Sequence, residues 1–104
     1  MPEYNIEFLA PAWRELDEIS QLHFSLVGAK SAERITSKIL DMIERLRTTP
    51  YMGMAVDEPL IRHENYRRLV CERYLCFYKV IGNTVYIYHI IDGRRDYPRL
   101  LEQS

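Results

Sequence analysis

The feature that most constrains the fold is the stretch of residues 66–97, where three runs rich in Val, Ile, Tyr and Phe follow one another with only short breaks. The last two runs are separated by Gly82 and Asn83, residue types that favour tight hairpin turns. Since β-branched and aromatic residues favour strands, this pattern predicts a three-stranded antiparallel meander. Arginines stand where the predicted strands begin or end, at Arg67, Arg68, Arg73, Arg94 and Arg95. A functional site is expected at these strand ends.

Two amphipathic helices are predicted before the meander. Residues 4–8 alternate between apolar and polar, which is typical of a half-buried strand, and Pro11 suits the first turn of a helix. Apolar and His side chains of the first helix recur at three- and four-residue steps up to Gly28, at Trp13, Leu16, Ile19, His23 and Leu26. The second helix, which Ser31 could cap, carries a similar stripe before Thr49-Pro50, formed by Ala32, Ile35, Ile39, Met42, Ile43 and Leu46.

The order of these elements predicts the fold class. Residues 51–65 lack periodicity and are expected to form a loop, and residues 96–102 a short tail or helical turn. The resulting order is an N-terminal strand, an αα-hairpin and a three-stranded antiparallel meander, that is, β-α-α-β-β-β. A chain of 104 residues is too short for two cores, so residues 1–104 are predicted to form a single α+β domain.

The charge of the chain is unevenly distributed although its net value is only −1. Residues 62–99 contain eight basic and four acidic side chains, whereas the rest of the chain contains six basic and eleven acidic ones. Seven of those eight basic residues are arginine, whose planar guanidinium pairs bidentately with phosphate or carboxylate. The C-terminal third is therefore predicted to bind a polyanion or an acidic protein surface.

Several classes of protein are disfavoured by what the sequence lacks. It has no apolar run long enough to span a membrane and no N-terminal leader pattern, which predicts a cytoplasmic protein. Cys71 and Cys76 have neither Cys-x-x-Cys nor zinc spacing and are interpreted as buried thiols. Neither a phosphate-binding glycine loop nor a Ser-His-Asp order is present, and we expect no cofactor and no metal.

The order and spacing of several motifs resemble those of the RelE/ParE superfamily, the toxins of bacterial type II toxin-antitoxin modules. The motifs are RYLCFYKV at residues 73–80, TVYIYHII at 84–91, GRRDY at 93–97 and the Pro50-x-x-Gly53 break after the second helix. The resemblance covers nearly the whole chain. It implies a toxin that arrests growth when free and a cognate antitoxin as its partner. Its target would be either the ribosome with its mRNA, as in RelE-type endonucleases, or DNA gyrase, as in ParE-type inhibitors.

The resemblance also suggests which residues act. For metal-independent RNA cleavage the catalytic residues would be Arg67 and Arg95, at basic positions of the RelE group, with Tyr97 replacing a tyrosine that would fall near Leu101. Leu75 stands where RelE-type enzymes have an arginine, which favours the ParE-type reading. The remaining strand-end arginines are predicted to bind the nucleic acid or protein target, namely Arg68, Arg73 and Arg94.

Each of these residues also has a purely structural explanation. The arginines could be a solvated cluster that keeps the sheet edge from pairing with other chains, and Tyr97 could be a packing residue. His89, inside the last strand, is interpreted as packed or hydrogen-bonded and not as a catalyst. A degenerate superfamily member that retains only antitoxin and operator regulation is a third possibility, so nuclease, target inhibitor and inactive relative all stay open.

Overall fold

The computed structural model describes residues 3–102, which form a five-stranded sheet with two long helices packed on one face. The strands are β1 (Asn5–Phe8), β2 (Met54–Ala55), β3 (Arg67–Cys71), β4 (Tyr74–Ile81) and β5 (Thr84–Asp92). The helices are α1 (Ala10–Leu26), α2 (Ala29–Glu44) and α3 (Tyr97–Glu102), with 3-10 turns at Arg45–Arg47 and Arg62–Glu64. The predicted α+β order is confirmed, with the two-residue β2 added inside what was expected to be a loop.

The sheet has the strand order β1-β5-β4-β3-β2, in which β1 runs parallel to β5 and all other pairs are antiparallel. Two-residue turns join the meander, and Gly82 adopts the positive φ of 62° that the β4–β5 turn requires. Glu72, in the β3–β4 turn, has a φ of 59°, a conformation that costs free energy in a residue with a Cβ. Tyr88 is an extra residue in β5, because Phe77 pairs with His89 and Tyr78 with Ile87.

The main core lies between the helices and one face of the sheet. Most of the predicted helical stripes are buried there, but the prediction is wrong for Trp13 and Leu26, which are 52% and 74% exposed. Ala12, which is fully buried, lies in line with Leu16 and Ile19 on the core side of α1. Trp13 is left outside this stripe and stacks on Phe8, with the ring centroids 4.3 Å apart.

The junction between the two helices differs slightly from the prediction. Gly28 ends α1 as expected, with its N–H donating to the His23 carbonyl oxygen at 3.1 Å and a φ of 132°. The same glycine is the N-cap of α2, so Ser31 lies inside the helix and does not cap it. The Ser31 hydroxyl instead lies 3.4 Å from Nδ1 of His23.

A second, smaller hydrophobic cluster covers part of the opposite face of the sheet. The C-terminal helix and the segment before β3 bring together six buried side chains, Val56, Ile61, Tyr66, Phe77, Ile91 and Leu101. Both faces of β4 and β5 are therefore packed, which explains why these strands carry apolar residues on both sides. The ends of the strands, rather than a sheet face, carry most of the predicted site.

Candidate functional site

The register of the sheet divides the predicted site residues into two groups. Arg67 pairs with Tyr78, whereas Asp92, at the end of β5, pairs with Tyr74. These two positions on β4 are four residues apart, or about 13 Å along the strand. Arg67 and Arg68 therefore lie in one region of the sheet. A second group, which we call the arginine corner, lies at the end of β5 and consists of Arg73, Arg94, Arg95 and the carboxylate of Asp92.

The Asp92 carboxylate is the centre of the arginine corner. Oδ1 accepts hydrogen bonds from the backbone N–H and Nε of Arg94 at 2.9 and 3.1 Å. Oδ2 accepts from Nη2 of Arg94 and Nη2 of Arg73, both at 3.1 Å. The bonds from Arg94 and Arg73 hold the pKa of Asp92 well below its ordinary value. The Asp92 side chain is only 18% exposed and that of Arg94 is 82% exposed, so the carboxylate lies beneath a cation that faces solvent.

The local sequence explains why the corner forms. An Asp side chain commonly accepts a hydrogen bond from the backbone N–H two residues later, as Asp92 does from Arg94. Gly93 allows the chain to pass close to the neighbouring turn, because its N–H donates to the Arg73 carbonyl oxygen at 3.0 Å and a Cβ there would lie 3.3 Å from that oxygen. The Arg95 N–H then donates to the Asp92 carbonyl oxygen at 3.1 Å. Turn chemistry thus fixes Arg94 and Arg95 beside Arg73.

Arg95 is the most available cation of the corner. Its guanidinium makes no hydrogen bond or ion pair with any side chain of residues 3–102. It lines a cleft of about 310 Å³ between α1 and the end of β5, together with Glu18, Leu22 and Tyr74. A partner that reaches this end of the sheet would meet Arg95 without displacing an existing contact.

Arg67 is used differently, because its guanidinium binds the chain's own backbone. Nε and Nη2 donate to the Gly53 carbonyl oxygen at 3.0 and 2.6 Å, and Nη2 also donates to that of Tyr51 at 3.1 Å. The guanidinium carbon lies 5.1 Å from the centre of the Tyr51 ring. These contacts hold the segment that precedes β2, so Arg67 has an evident structural role.

Arg68 and Tyr97 meet on the other face of the sheet, beside the second hydrophobic cluster. Nη1 of Arg68 donates to the Tyr97 hydroxyl oxygen at 3.4 Å, and that hydroxyl donates to Oε1 of Glu58 at 3.3 Å. The Tyr97 ring packs on Phe77 with the ring centroids 4.8 Å apart. A phenol between a carboxylate and a guanidinium is an arrangement that can accept or donate a proton.

The three residues predicted to be catalytic are not brought together. Arg67 contacts the segment around Gly53, Tyr97 contacts Arg68, and Arg95 lies at the end of β5. Within residues 3–102 no side-chain hydrogen bond or ion pair joins Tyr97 to Arg67 or Arg95. By contrast, two of the three residues predicted to bind the target, Arg73 and Arg94, share the Asp92 carboxylate.

Three contributors were missed by sequence reasoning. Asp92 and Gly93 had a local signal, since Asp-Gly after a strand predicts a turn whose first side chain binds backbone. Glu58 had none, because it contacts Tyr97 from 39 positions away in the chain. The interpretation of His89 as a hydrogen-bonded histidine is confirmed, since Nδ1 lies 3.0 Å from Oε2 of Glu15.

No three His, Cys, Asp or Glu side chains among residues 3–102 are grouped so that they could hold a metal ion. None of the helices in the same range is both long enough and apolar enough to cross a membrane.

Comparisons with known proteins agree with this architecture. Residues 6–97 match the family model described as the ParE toxin of the type II toxin-antitoxin system parDE. A solved structure of the chromosomal ParDE TA system from P. aeruginosa is similar, with a TM-score of 0.72 and 19% identity, covering 86% of this chain and 96% of that one. The YoeB/ParE toxin from Agrobacterium tumefaciens has a TM-score of 0.53 and 19% identity, covering 85% and 96%. No curated protein matches the chain.

Proposed function

The chain belongs to the ParE toxin family of type II toxin-antitoxin systems, and from that premise we propose that it arrests growth by binding DNA gyrase and inhibiting it. A toxin of such a system is paired with a cognate antitoxin. The contact surface for the target would be the arginine corner, with Arg73, Arg94 and Arg95 as the binding residues. Inhibition of this kind needs a complementary surface and no proton transfer.

The observation that carries this proposal is the separation of the predicted catalytic set. Cleavage of RNA by its own 2′-hydroxyl needs a base, an acid and cations that converge on one phosphate. Arg67 donates to two backbone carbonyl oxygens, and Tyr97 lies beside Arg68. Arg67 and Tyr97, both predicted to perform this chemistry, are therefore each engaged with other parts of the chain and not with one another.

The arginine corner supports binding to an acidic partner. Its three guanidinium groups outnumber its single carboxylate. The side chain of Arg94 is largely exposed and that of Arg73 is about half exposed. Arginine pairs with carboxylate or phosphate through parallel hydrogen bonds, which gives both attraction and orientation. Such a surface suits an acidic region of a protein target or the backbone of its DNA.

A second candidate function is ribosome-dependent cleavage of mRNA, and one observation favours it. The Tyr97 hydroxyl lies between the Glu58 carboxylate and the Arg68 guanidinium, so this phenol could take part in acid-base chemistry. In that case the active site would lie on the second face of the sheet and use Arg68 in place of Arg67.

The test is to measure both activities on the same purified proteins. DNA supercoiling by gyrase would be followed beside 5′-end mapping of a defined mRNA in a reconstituted translation reaction. The variants are Arg73→Gln with Arg94→Gln in one chain, and Tyr97→Phe. Arg99→Gln is the matched control, because Arg99 is also exposed and paired with a nearby acid, Asp96, at 3.2 Å.

We expect wild type, Tyr97→Phe and Arg99→Gln to inhibit supercoiling and the double arginine variant to be weakened. Normal supercoiling together with new, ribosome-dependent 5′ ends that disappear in Tyr97→Phe would refute gyrase inhibition and establish the nuclease. Normal supercoiling and intact mRNA, from protein that does not arrest cells, would identify a toxin that has lost its activity.

A further inference from the structure

We propose that Asp92 is a positioning residue, whose carboxylate aligns the Arg73 and Arg94 guanidinium groups toward the target of the toxin. This inference rests on the proposed role of the arginine corner in target binding, and it adds a residue that is not itself expected to touch the target. Removing this negative charge should weaken the toxin even though it makes the corner more positive.

Asp92 joins two segments that are distant in sequence. Arg73 belongs to the β3–β4 turn, and Arg94 follows β5. Within residues 3–102 the carboxylate accepts four hydrogen bonds, three from Arg94 and one from Arg73. The pairing with Arg94 uses Nε and Nη2, so the guanidinium is held in one plane and its remaining N–H groups are free to face outward.

Arg73 is restrained from a second direction. Its guanidinium carbon lies 5.4 Å from the centre of the Tyr74 ring. Tyr74 is itself buried, and its hydroxyl lies 3.0 Å from Nε2 of His23 on α1. Arg73 is thus held between the face of the Tyr74 ring and the Asp92 carboxylate, although its side chain is about half exposed.

Preorganisation explains why these contacts matter for binding. A long, exposed arginine samples many rotamers, and a partner that binds it must restrict them. Where the partly exposed Asp92 carboxylate already restricts two guanidinium groups, the partner meets them in a defined orientation. The carboxylate also lowers the net positive charge of the corner. It therefore favours binding by orienting the two arginines and disfavours binding by weakening the long-range attraction of an acidic target.

These opposite effects allow the inference to be tested with Asp92→Asn. If only the total charge of the corner mattered, this substitution would strengthen binding to an acidic target. If orientation dominates, Asp92→Asn should weaken binding. We expect the concentration of toxin needed for inhibition to rise about tenfold, because two arginine side chains would then have to be ordered during binding. Asp96→Asn is the matched control, because it makes the same charge change at an exposed ion pair nearby.

The experiment measures growth arrest under titrated expression and inhibition of gyrase supercoiling, with protein levels and thermal unfolding recorded for each variant. Arg94→Lys is included because it leaves Asp92 in place and keeps the positive charge, but a lysine cannot form the two parallel hydrogen bonds. Asp92→Asn and Arg94→Lys should both be weaker than wild type in growth arrest and in gyrase inhibition, and Asp96→Asn should match wild type. In a chain that already carries Arg73→Gln and Arg94→Gln, adding Asp92→Asn should cause no further loss, since Asp92 acts through these two arginines.

A spectroscopic readout separates orientation from folding. The Nε–Hε resonance of Arg94 should be protected from exchange in wild type and become exchange-broadened in Asp92→Asn, while the backbone spectrum is otherwise retained.

Equal or greater toxicity of Asp92→Asn, or full activity of Arg94→Lys, would overturn the inference. If wild type arrests growth without affecting gyrase, gyrase is refuted as the target, but the role of Asp92 is still tested by the growth assay. Wild type that arrests nothing would overturn both.

Discussion

The backbone N–H of Gly53 donates a hydrogen bond of 2.9 Å to the hydroxyl oxygen of Tyr78, although the two residues lie 25 positions apart in the chain. The same hydroxyl donates to the Pro50 carbonyl oxygen at 2.8 Å. Tyr78 is fully buried, and burial raises the pKa of its phenol. One phenol therefore satisfies two backbone groups at the point where the chain leaves α2 and enters the sheet.

Tyr78→Phe should destabilise the protein by roughly 1–3 kcal/mol, because it leaves the Gly53 N–H and the Pro50 carbonyl without their buried partner. Urea unfolding at neutral pH would measure this change. Tyr51→Phe, on the same segment but exposed, should be nearly neutral. An equally neutral Tyr78→Phe would mean that water replaces the hydroxyl.

Gly53→Ala should also be destabilising, for a steric reason. A Cβ at this position would lie 2.7 Å from the Arg68 carbonyl oxygen and 2.7 Å from the Tyr78 hydroxyl oxygen. Since one of these atoms belongs to the backbone and cannot easily move, we expect the free energy of unfolding to fall by about 1–3 kcal/mol, which is typical when atoms are added to a well-packed core. Gly28→Ala cannot serve as a control, because the positive φ of Gly28 would itself make alanine unfavourable. The stability of Gly53→Ala is instead compared, by urea titration, with that of Ala55→Gly on the adjacent exposed strand.

Substitutions of Glu72 should isolate the cost of its backbone conformation. Glu72→Gly and Glu72→Ala both remove the half-exposed ion pair with Lys38, which spans 3.0 Å. Only glycine also relieves the positive φ, so Glu72→Gly should be more stable than Glu72→Ala by about 1 kcal/mol. Thermal and urea unfolding of the two variants test this difference. Equal stability would show that the turn adopts another conformation in solution.

The depressed pKa of Asp92 predicts a specific dependence of stability on pH. Its folded-state pKa lies below the unfolded-state value of about 4, so its contribution is fully present above that value and is lost as the pH falls through the folded-state pKa. Between pH 5 and pH 2, wild type should therefore lose more stability than Asp92→Asn. Urea unfolding of both proteins across this range provides the measurement. Parallel curves for wild type and Asp92→Asn would contradict the prediction.

The two cysteines should resist thiol reagents in the folded protein. Burial, together with the nearby Glu72 carboxylate, raises the pKa of the Cys71 thiol to about 12, and burial raises that of Cys76 well above its ordinary value. At pH 8, a disulfide reagent should therefore react slowly with native protein and rapidly in urea. Fast labelling of either thiol without denaturant would indicate local opening of β3 and β4.

The strands and helices were largely predictable because their signals are local. The period of apolar residues identified α1, α2 and the meander, and Gly28 and Gly82 marked breaks that the structure confirms. The two-residue β2 could not be found in this way, since it exists only through pairing with Arg67 and Arg68. Trp13 was misplaced because a wide helical stripe does not show which side of it faces the sheet.

The candidate site was predicted less well than the fold. Arginines at strand ends were evident in the sequence, but their roles depend on which groups lie nearby in space. Arg67 and Arg68 are neighbours in sequence that point to opposite faces of the sheet, one toward the Gly53 segment and the other toward Tyr97. The shared carboxylate of Asp92 requires two turns that are separated by the whole of β4 and β5.

The sequence alone determined the elements, their order, the uneven distribution of charge and the choice of arginine as the main cation. These properties depend on side-chain type and on spacings of a few residues, which the backbone periods translate directly into faces and turns. Only the tertiary structure decided which arginines act together, since sheet register and the packing of α3 bring distant residues within hydrogen-bonding distance. A shift of register by one residue would have left every element in place and changed all of those partners.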